Sequence, residues 1–175
     1  METVCETERL RLRHLSSADA VFMLELLTDP DYIRNIADRG VRTVEDAERY
    51  ILAWPAASYE QFGFGLYLVE LKQPLQPIGL CGLLRRDYHP DVEIGYAFLP
   101  AGRGKGYVLE SATAVLEVAR SLDVERLVAV TTPDNQPSVR VLEKLGFQFE
   151  GMVNLPGHSG PSRFFVRNDT TAKAP

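Results

Sequence analysis

The sequence predicts a mixed α/β domain built on one sheet. Three observations carry this. The stretches FGLYLVEL, IGLCGLLRR and VEIGYAFL are short apolar runs separated by Pro, Gly and Asp turns, which read as three strands of an antiparallel meander. Segments with helical periodicity lie before and after them, with no internal repeat and no low-complexity insert. The length, 175 residues with 45% hydrophobic side chains, is enough for one substantial core and too short for two domains. Residues 1–168 are therefore expected to form one domain, with 169–175 a flexible tail.

Leu10 and Leu12 alternate with arginines as a first strand, and Ser16 or Ser17 can cap a helix carrying Val21, Leu24 and Leu27 to about Thr28. DPDYIRNIADRGV reads as a loop or a short helix. Thr43 with Asp46 resembles a capping box, and Ala47, Tyr50, Ile51 and Trp54 form one apolar face before Pro55 stops the helix. After the meander, Val108, Ala112, Val115, Leu116 and Ala119 recur at helical spacing. LVAVTT is a further strand, followed by the helical segment NQPSVRVLEK.

Composition excludes several functions. No run approaches the roughly 18 apolar residues of a membrane span. The amino terminus carries acids and arginines where an export signal has an apolar core, so a cytoplasmic protein is expected. A net charge of −5 argues against nucleic-acid binding, which depends on clustered Lys and Arg. Cys5 and Cys81 have no Cys or His at metal-ligand spacing, so both are expected reduced, Cys81 buried, and no metal is expected.

The most informative stretch is PAGRGKGYVLESATAVLEVAR, residues 100–120. Its glycines stand at a helix amino terminus, where unpaired N–H groups and the helix dipole favour an anion such as phosphate. Arg103 and Lys105 are expected to add full charges. Two familiar phosphate loops fail on spacing. Gly104-Lys105 is followed by Gly106 rather than Ser or Thr, and a G-x-G-x-x-G pattern begun at Gly102 or Gly104 meets Tyr107 or Leu109 at its last position. A helix cap alone accounts for only one of the glycines.

The remaining string, Arg103-Gly104-Lys105-Gly106-Tyr107-Val108, resembles the acyl-CoA pyrophosphate loop of the GNAT superfamily of N-acetyltransferases, with Val108 in place of a small last residue. NQPSVRVLEKLGF, TERLRLRHLSSADA and VEIGYAFLP resemble further segments of that superfamily, in the same order, so the resemblance runs from about Glu8 to Arg167. It is closest to the branch of the ribosomal-protein amino-terminal (alanine/serine) acetyltransferases, in which Leu often stands where Leu142 does.

The resemblance implies a mostly antiparallel seven-stranded sheet, splayed between its fourth and fifth strands and flanked by about four helices. Acetyl-CoA is expected in the opening, its pyrophosphate on Arg103 to Val108 and its pantetheine paired with the strand end at Phe98 and Leu99. Glu93 is the preferred base; its plain alternative is an exposed or ion-paired strand carboxylate. Asn135 is expected to orient the thioester region, or merely to cap a helix, and Ser138 to hydrogen-bond the sulfur. The tyrosine acid of many relatives is absent, since Leu142 stands there, leaving Ser138 or a water. Tyr32 and Ile33 are candidate acceptor contacts by resemblance. His158 is a loop histidine that could border the acceptor pocket, and Glu110, His14 and His89 are read as structural. The resemblance implies a primary amine as acceptor, foremost a protein or peptide amino terminus. A small amine (amino acid, polyamine or antibiotic) and a non-catalytic acyl-CoA-binding module stay open, as does a homodimer.

Overall fold

The computed structural model describes residues 2–156 and 160–168. Along the chain run β1 (Thr3–Glu6), β2 (Leu10–Arg13), α1 (Ala20–Thr28), α2 (Pro30–Asn35), α3 (Val44–Ile51), α4 (Ala57–Phe62), β3 (Leu66–Lys72), β4 (Leu75–Arg86), β5 (His89–Phe98), α5 (Tyr107–Ser121), β6 (Arg126–Thr131), α6 (Gln136–Lys144), β7 (Gln148–Val153) and β8 (Ser162–Asn168). The expected meander is β3, β4 and β5. The eight strands lie in the order β1-β2-β3-β4-β5-β6-β8-β7. There is one strand more than expected, because Thr3–Glu6 folds back on β2.

All neighbours are antiparallel except β5 and β6. These two run parallel and pair only at Val92↔Leu127 and Glu93↔Val128. Beyond Glu93 they part, while β5 keeps β4 on its other edge as far as Gly79↔Phe98. The splay thus starts at Glu93.

Alternation along β5 sorts its side chains between two cores. Val92, Ile94 and Phe98 join Ala112, Val115, Leu116 and Ala119 of α5 and Val139 and Leu142 of α6. On the opposite face Leu68, Leu80 and Leu99 pack under Met23, Leu26 and Leu27 of α1, Tyr32 of α2, and Ala47 and Ile51 of α3. The period-two pattern of the strands and the 3.6-residue pattern of the helices therefore meet on both faces.

Three local expectations change. Pro55 does not end the helix: Leu52–Ala56 forms a π-helical turn that holds Pro55, and the chain continues as α4. The wider turn tolerates a residue without an N–H and shifts the helical phase of the turns beyond it. Trp54, expected inside, lies within this turn and is 62% exposed. Val21 also faces outward, the buried face of α1 being Ala20, Phe22, Met23, Leu26 and Leu27. The segment after α1 is helical over Pro30–Asn35, capped by Asp29, whose side chain accepts from the N–H groups of Asp31 and Tyr32. Arg13, at the end of β2, is buried because Asp19 and Glu70 both bind its guanidinium.

Candidate active site

The loop at residues 103–106 gets its shape from two left-handed glycines, Gly104 at φ +72° and Gly106 at φ +82°. Apart from the distal end of Arg9 beside Gly106, nothing lies within 4 Å of where their Cβ atoms would be. Glycine is therefore needed here for its backbone conformation more than for space. Gly106 is the N-cap of α5 and supplies no side-chain cap, so the first N–H groups of a 15-residue helix are left for an anion. Tyr107 and Val108 open that helix.

The two expected cations are placed differently. Arg103 donates from Nε to the Phe98 carbonyl at 2.7 Å and forms ion pairs with Asp29 at 2.6 Å and Asp31 at 2.5 Å. Its charge is already matched by two carboxylates, and its place is that of a clasp between the end of β5 and the start of α2. Lys105 is exposed and makes no ion pair among the described residues, so it is the cation left to the loop. Arg9 braces the loop from outside. It lies 4.5 Å over the Tyr107 ring, donates to the Lys105 carbonyl at 3.1 Å and pairs with Glu110 at 2.6 Å. Burial alone would push the Glu110 carboxyl up, but hydrogen bonds from Thr7 and Arg9 outweigh it and hold the group below its ordinary range. Glu110 is thus a structural anchor, as its position on the polar side of the helix suggested.

Helix α2 spans the mouth of the splay. Its first turn is held by Arg103, just after β5. At its far end Asn35 Oδ1 accepts a hydrogen bond at 3.3 Å from the Thr132 hydroxyl, just after β6. Tyr32 is buried beneath this bridge, whereas Ile33 is 38% exposed. Tyr50 of α3 is near Tyr32. Burial first, and then Tyr32, push its phenol well above the ordinary value.

Glu93 stands at the fork, buried at 6% exposure, on the face of β5 opposite Val92 and Ile94. This carboxylate is therefore not exposed, and it has a charged neighbour: Arg86 Nη2 lies 3.4 Å from Glu93 Oε1. Arg86 Nε is buried and has no hydrogen-bond partner among the described residues, a condition that costs roughly 1–3 kcal/mol.

On the other face, Tyr96 Oη is 3.0 Å from Ser138 Oγ and 3.3 Å from the Ser138 carbonyl oxygen. Asn135 caps α6, its Oδ1 accepting from the Ser138 N–H at 3.2 Å. Phe98 and Leu99 are buried where β5 ends. His158 and the tail from residue 169 lie outside the described residues. Tyr96 and Arg86 are the neighbours that sequence left unmarked. Parity on β5 assigned Tyr96 to the core, and only its hydroxyl, among Val92, Ile94 and Phe98, hinted at a polar partner. Arg86 is one of two successive arginines at a strand end, with nothing to distinguish them.

The arrangement can do acyl-transfer chemistry on an amine. A carboxylate stands at the apex of a split sheet, an anion-receptive helix terminus flanks the opening, and hydroxyl donors lie on its far wall. Comparison with known proteins agrees. The family pattern described as an acetyltransferase (GNAT) domain matches residues 9–148. The N-acetyltransferase YnaD of Bacillus subtilis is 31% identical over 83% of this chain and 82% of its own. The [ribosomal protein uS5]-alanine N-acetyltransferase of Escherichia coli is 30% identical, over 51% of this chain and 46% of its own. Among solved structures, a GNAT-family acetyltransferase from Bacillus anthracis superposes with a TM-score of 0.79 at 26% identity, covering 97% of this chain and 99% of the other. With a parallel pair that opens at a buried glutamate, and with the pattern matched across most of its length, the chain belongs to the GNAT family and is an acetyltransferase.

Proposed function

We propose that the enzyme moves an acetyl group from acetyl-CoA to the α-amine of a protein or peptide amino terminus, by direct attack within a ternary complex. The observation that carries the proposal is the position of Glu93, buried at the point where β5 and β6 separate. A relative named as an alanine N-acetyltransferase of ribosomal protein uS5 supports the acceptor class.

The residues present fit the co-substrate. The uncapped amino terminus of α5 and the left-handed pair Gly104 and Gly106 suit a pyrophosphate, with Lys105 as the free cation. Among the described residues, the edge of β5 beyond Glu93 has no strand neighbour up to Phe98, which suits an extended amide-bearing arm adding itself as a strand. When bound, acetyl-CoA supplies the thioester.

Glu93 then takes the proton lost by the attacking amine, as the new C–N bond forms and the C–S bond breaks. The Ser138 hydroxyl, held between Tyr96 and the turn capped by Asn135, donates toward the departing sulfur. Burial pushes the Tyr96 phenol above its ordinary value, so at neutral pH it keeps its proton and acts as a hydrogen-bond donor. An acetyl-cysteine intermediate is disfavoured. Burial pushes the Cys81 thiol up to about 12, and burial also raises Cys5, so neither is a ready thiolate.

The test measures CoA thiol release from acetyl-CoA with a panel of peptides and amines, with mass spectrometry to locate the acetyl group. Acetylation of an α-amine, modestly slowed in Glu93→Gln and recovering as pH rises, is expected. Thiol release confined to lysine side chains or polyamines would overturn the acceptor assignment, and binding without release would make the protein an acyl-CoA-binding module.

A further inference from the structure

Resting on the assignment of Glu93 as the base, we propose that the acceptor must carry an oxygen on the carbon next to its amine-bearing carbon, and that Arg86 reads that oxygen. The chemical class is an α-amino carbonyl or an α-amino carboxylate. Arg86 is at the end of β4, just past a register shift between Arg85 and Arg86. It shares a face with Leu84, the direct partner of Glu93. Its side chain is one-quarter exposed, and the guanidinium's hydrogen bonding among the described residues is the single long contact of 3.4 Å to Glu93.

A guanidinium has five donors in a planar fork made for carboxylate and carbonyl oxygens. Here that fork stands beside the base with its Nε unpaired. An amine seated at Glu93 puts the oxygen of an α-amino carbonyl two bonds from the amine-bearing carbon, within reach of the same fork.

The surroundings favour oxygen over a second ammonium. Arg39 and Arg86 both act on the phenols of Tyr50 and Tyr88, and Glu93 acts on that of Tyr88, so two arginines border this corner of the site. A polyamine would bring another positive charge against both arginines, whereas a carbonyl or carboxylate relieves them.

The experiment measures kcat/KM, per concentration of neutral amine, for alanine, the peptide amide Ala-Ala-Ala-Ser and isopropylamine, which lacks the oxygen. Wild type is expected to prefer one of the oxygen-bearing acceptors by about 100-fold or more. Arg86→Met should cut that preference at least tenfold, losing far more rate on the oxygen-bearing acceptors than on isopropylamine, and Arg86→Lys should fall between. Faster use of the peptide identifies a carbonyl as the oxygen, and faster use of alanine a carboxylate; either supports the proposal.

Equal use of isopropylamine by wild type, absence of activity on all three, or an equal loss on all three in Arg86→Met would overturn it. If Arg86→Met does not fold, as judged by thermal unfolding, the wild-type ratio and Arg86→Lys decide. A Glu93→Gln variant separates the two assignments. Unchanged rates there, with selectivity still lost at Arg86, would refute the base and keep the oxygen reader; lower rates there with selectivity intact in Arg86→Met would do the reverse.

Discussion

Tyr96 Oη lies 3.0 Å from Ser138 Oγ, so a strand on one arm of the fork and a helix on the other meet through two hydroxyls. If this pair delivers a proton to the sulfur as one unit, its members are not independent. Ser138→Ala and Tyr96→Phe are each expected to lower kcat by about 10- to 100-fold, the loss of a single polar contribution in the transition state. The double variant should be little worse than the weaker single. Additive losses in a double-mutant cycle would show that the two hydroxyls act separately.

Gly106→Val should abolish acetyl-CoA binding measured by calorimetry while the protein stays folded. A β-branched residue at φ +82° is strained by about 1–3 kcal/mol and displaces the first turn of α5. Unchanged affinity would remove the loop from the cofactor site.

The clasp of Arg103 by Asp29 and Asp31 gives a prediction of sign. If Arg103 holds the loop and α2 in place, Asp29→Ala should weaken acetyl-CoA binding in the same direction as Arg103→Ala. If Arg103 were instead a phosphate ligand held in check, removing Asp29 would strengthen binding. Titrations of the two variants at one ionic strength decide it.

For Glu93→Gln the acceptor's own basicity sets the outcome. An α-amine with pKa near 7.7 to 8.0 is already substantially neutral at pH 7.4, whereas a lysine amine near 10.4 is about a thousandth neutral, a difference of roughly 3 to 4 kcal/mol. A modest loss on an α-amine peptide, recovered as pH rises, is expected alongside a loss of orders of magnitude on a matched lysine peptide. Wild-type rates on both at every pH would return Glu93 to a structural role.

Acid should weaken the fold through Asp19. Burial alone raises this carboxyl, but hydrogen bonds from Arg13 and Ser16 more than offset it and leave it below the ordinary value. A depressed carboxyl stabilises above its unfolded pKa, near 3.9, and that contribution is lost as pH falls through the folded value. Urea midpoints should therefore fall below about pH 4 more steeply in wild type than in Asp19→Ala. At neutral pH the variant should be less stable by about 3–5 kcal/mol, because Arg13 is left buried without this partner.

What the sequence determined is local and periodic. Alternation in VEIGYAFL placed Glu93 and Val92 on opposite faces, the spacing of Ala112, Val115, Leu116 and Ala119 defined the buried side of α5, and the glycines around Lys105 marked an anion-receptive helix start. These are consequences of backbone geometry, so a single strand or helix reveals them. The tertiary structure decided everything that depends on a distant partner. Arg103 reads from the sequence as a free cation of the loop, and only the fold shows that Asp29 and Asp31, more than 70 positions away, pair with it. The contacts of Tyr96 with Ser138 and of Arg86 with Glu93 exist because β5 lies beside β4 and opens away from β6. Periodicity tells which way a side chain points but not what it meets. A charge or a hydroxyl acquires its role only from the group it meets, and that meeting is fixed by the packing of whole elements.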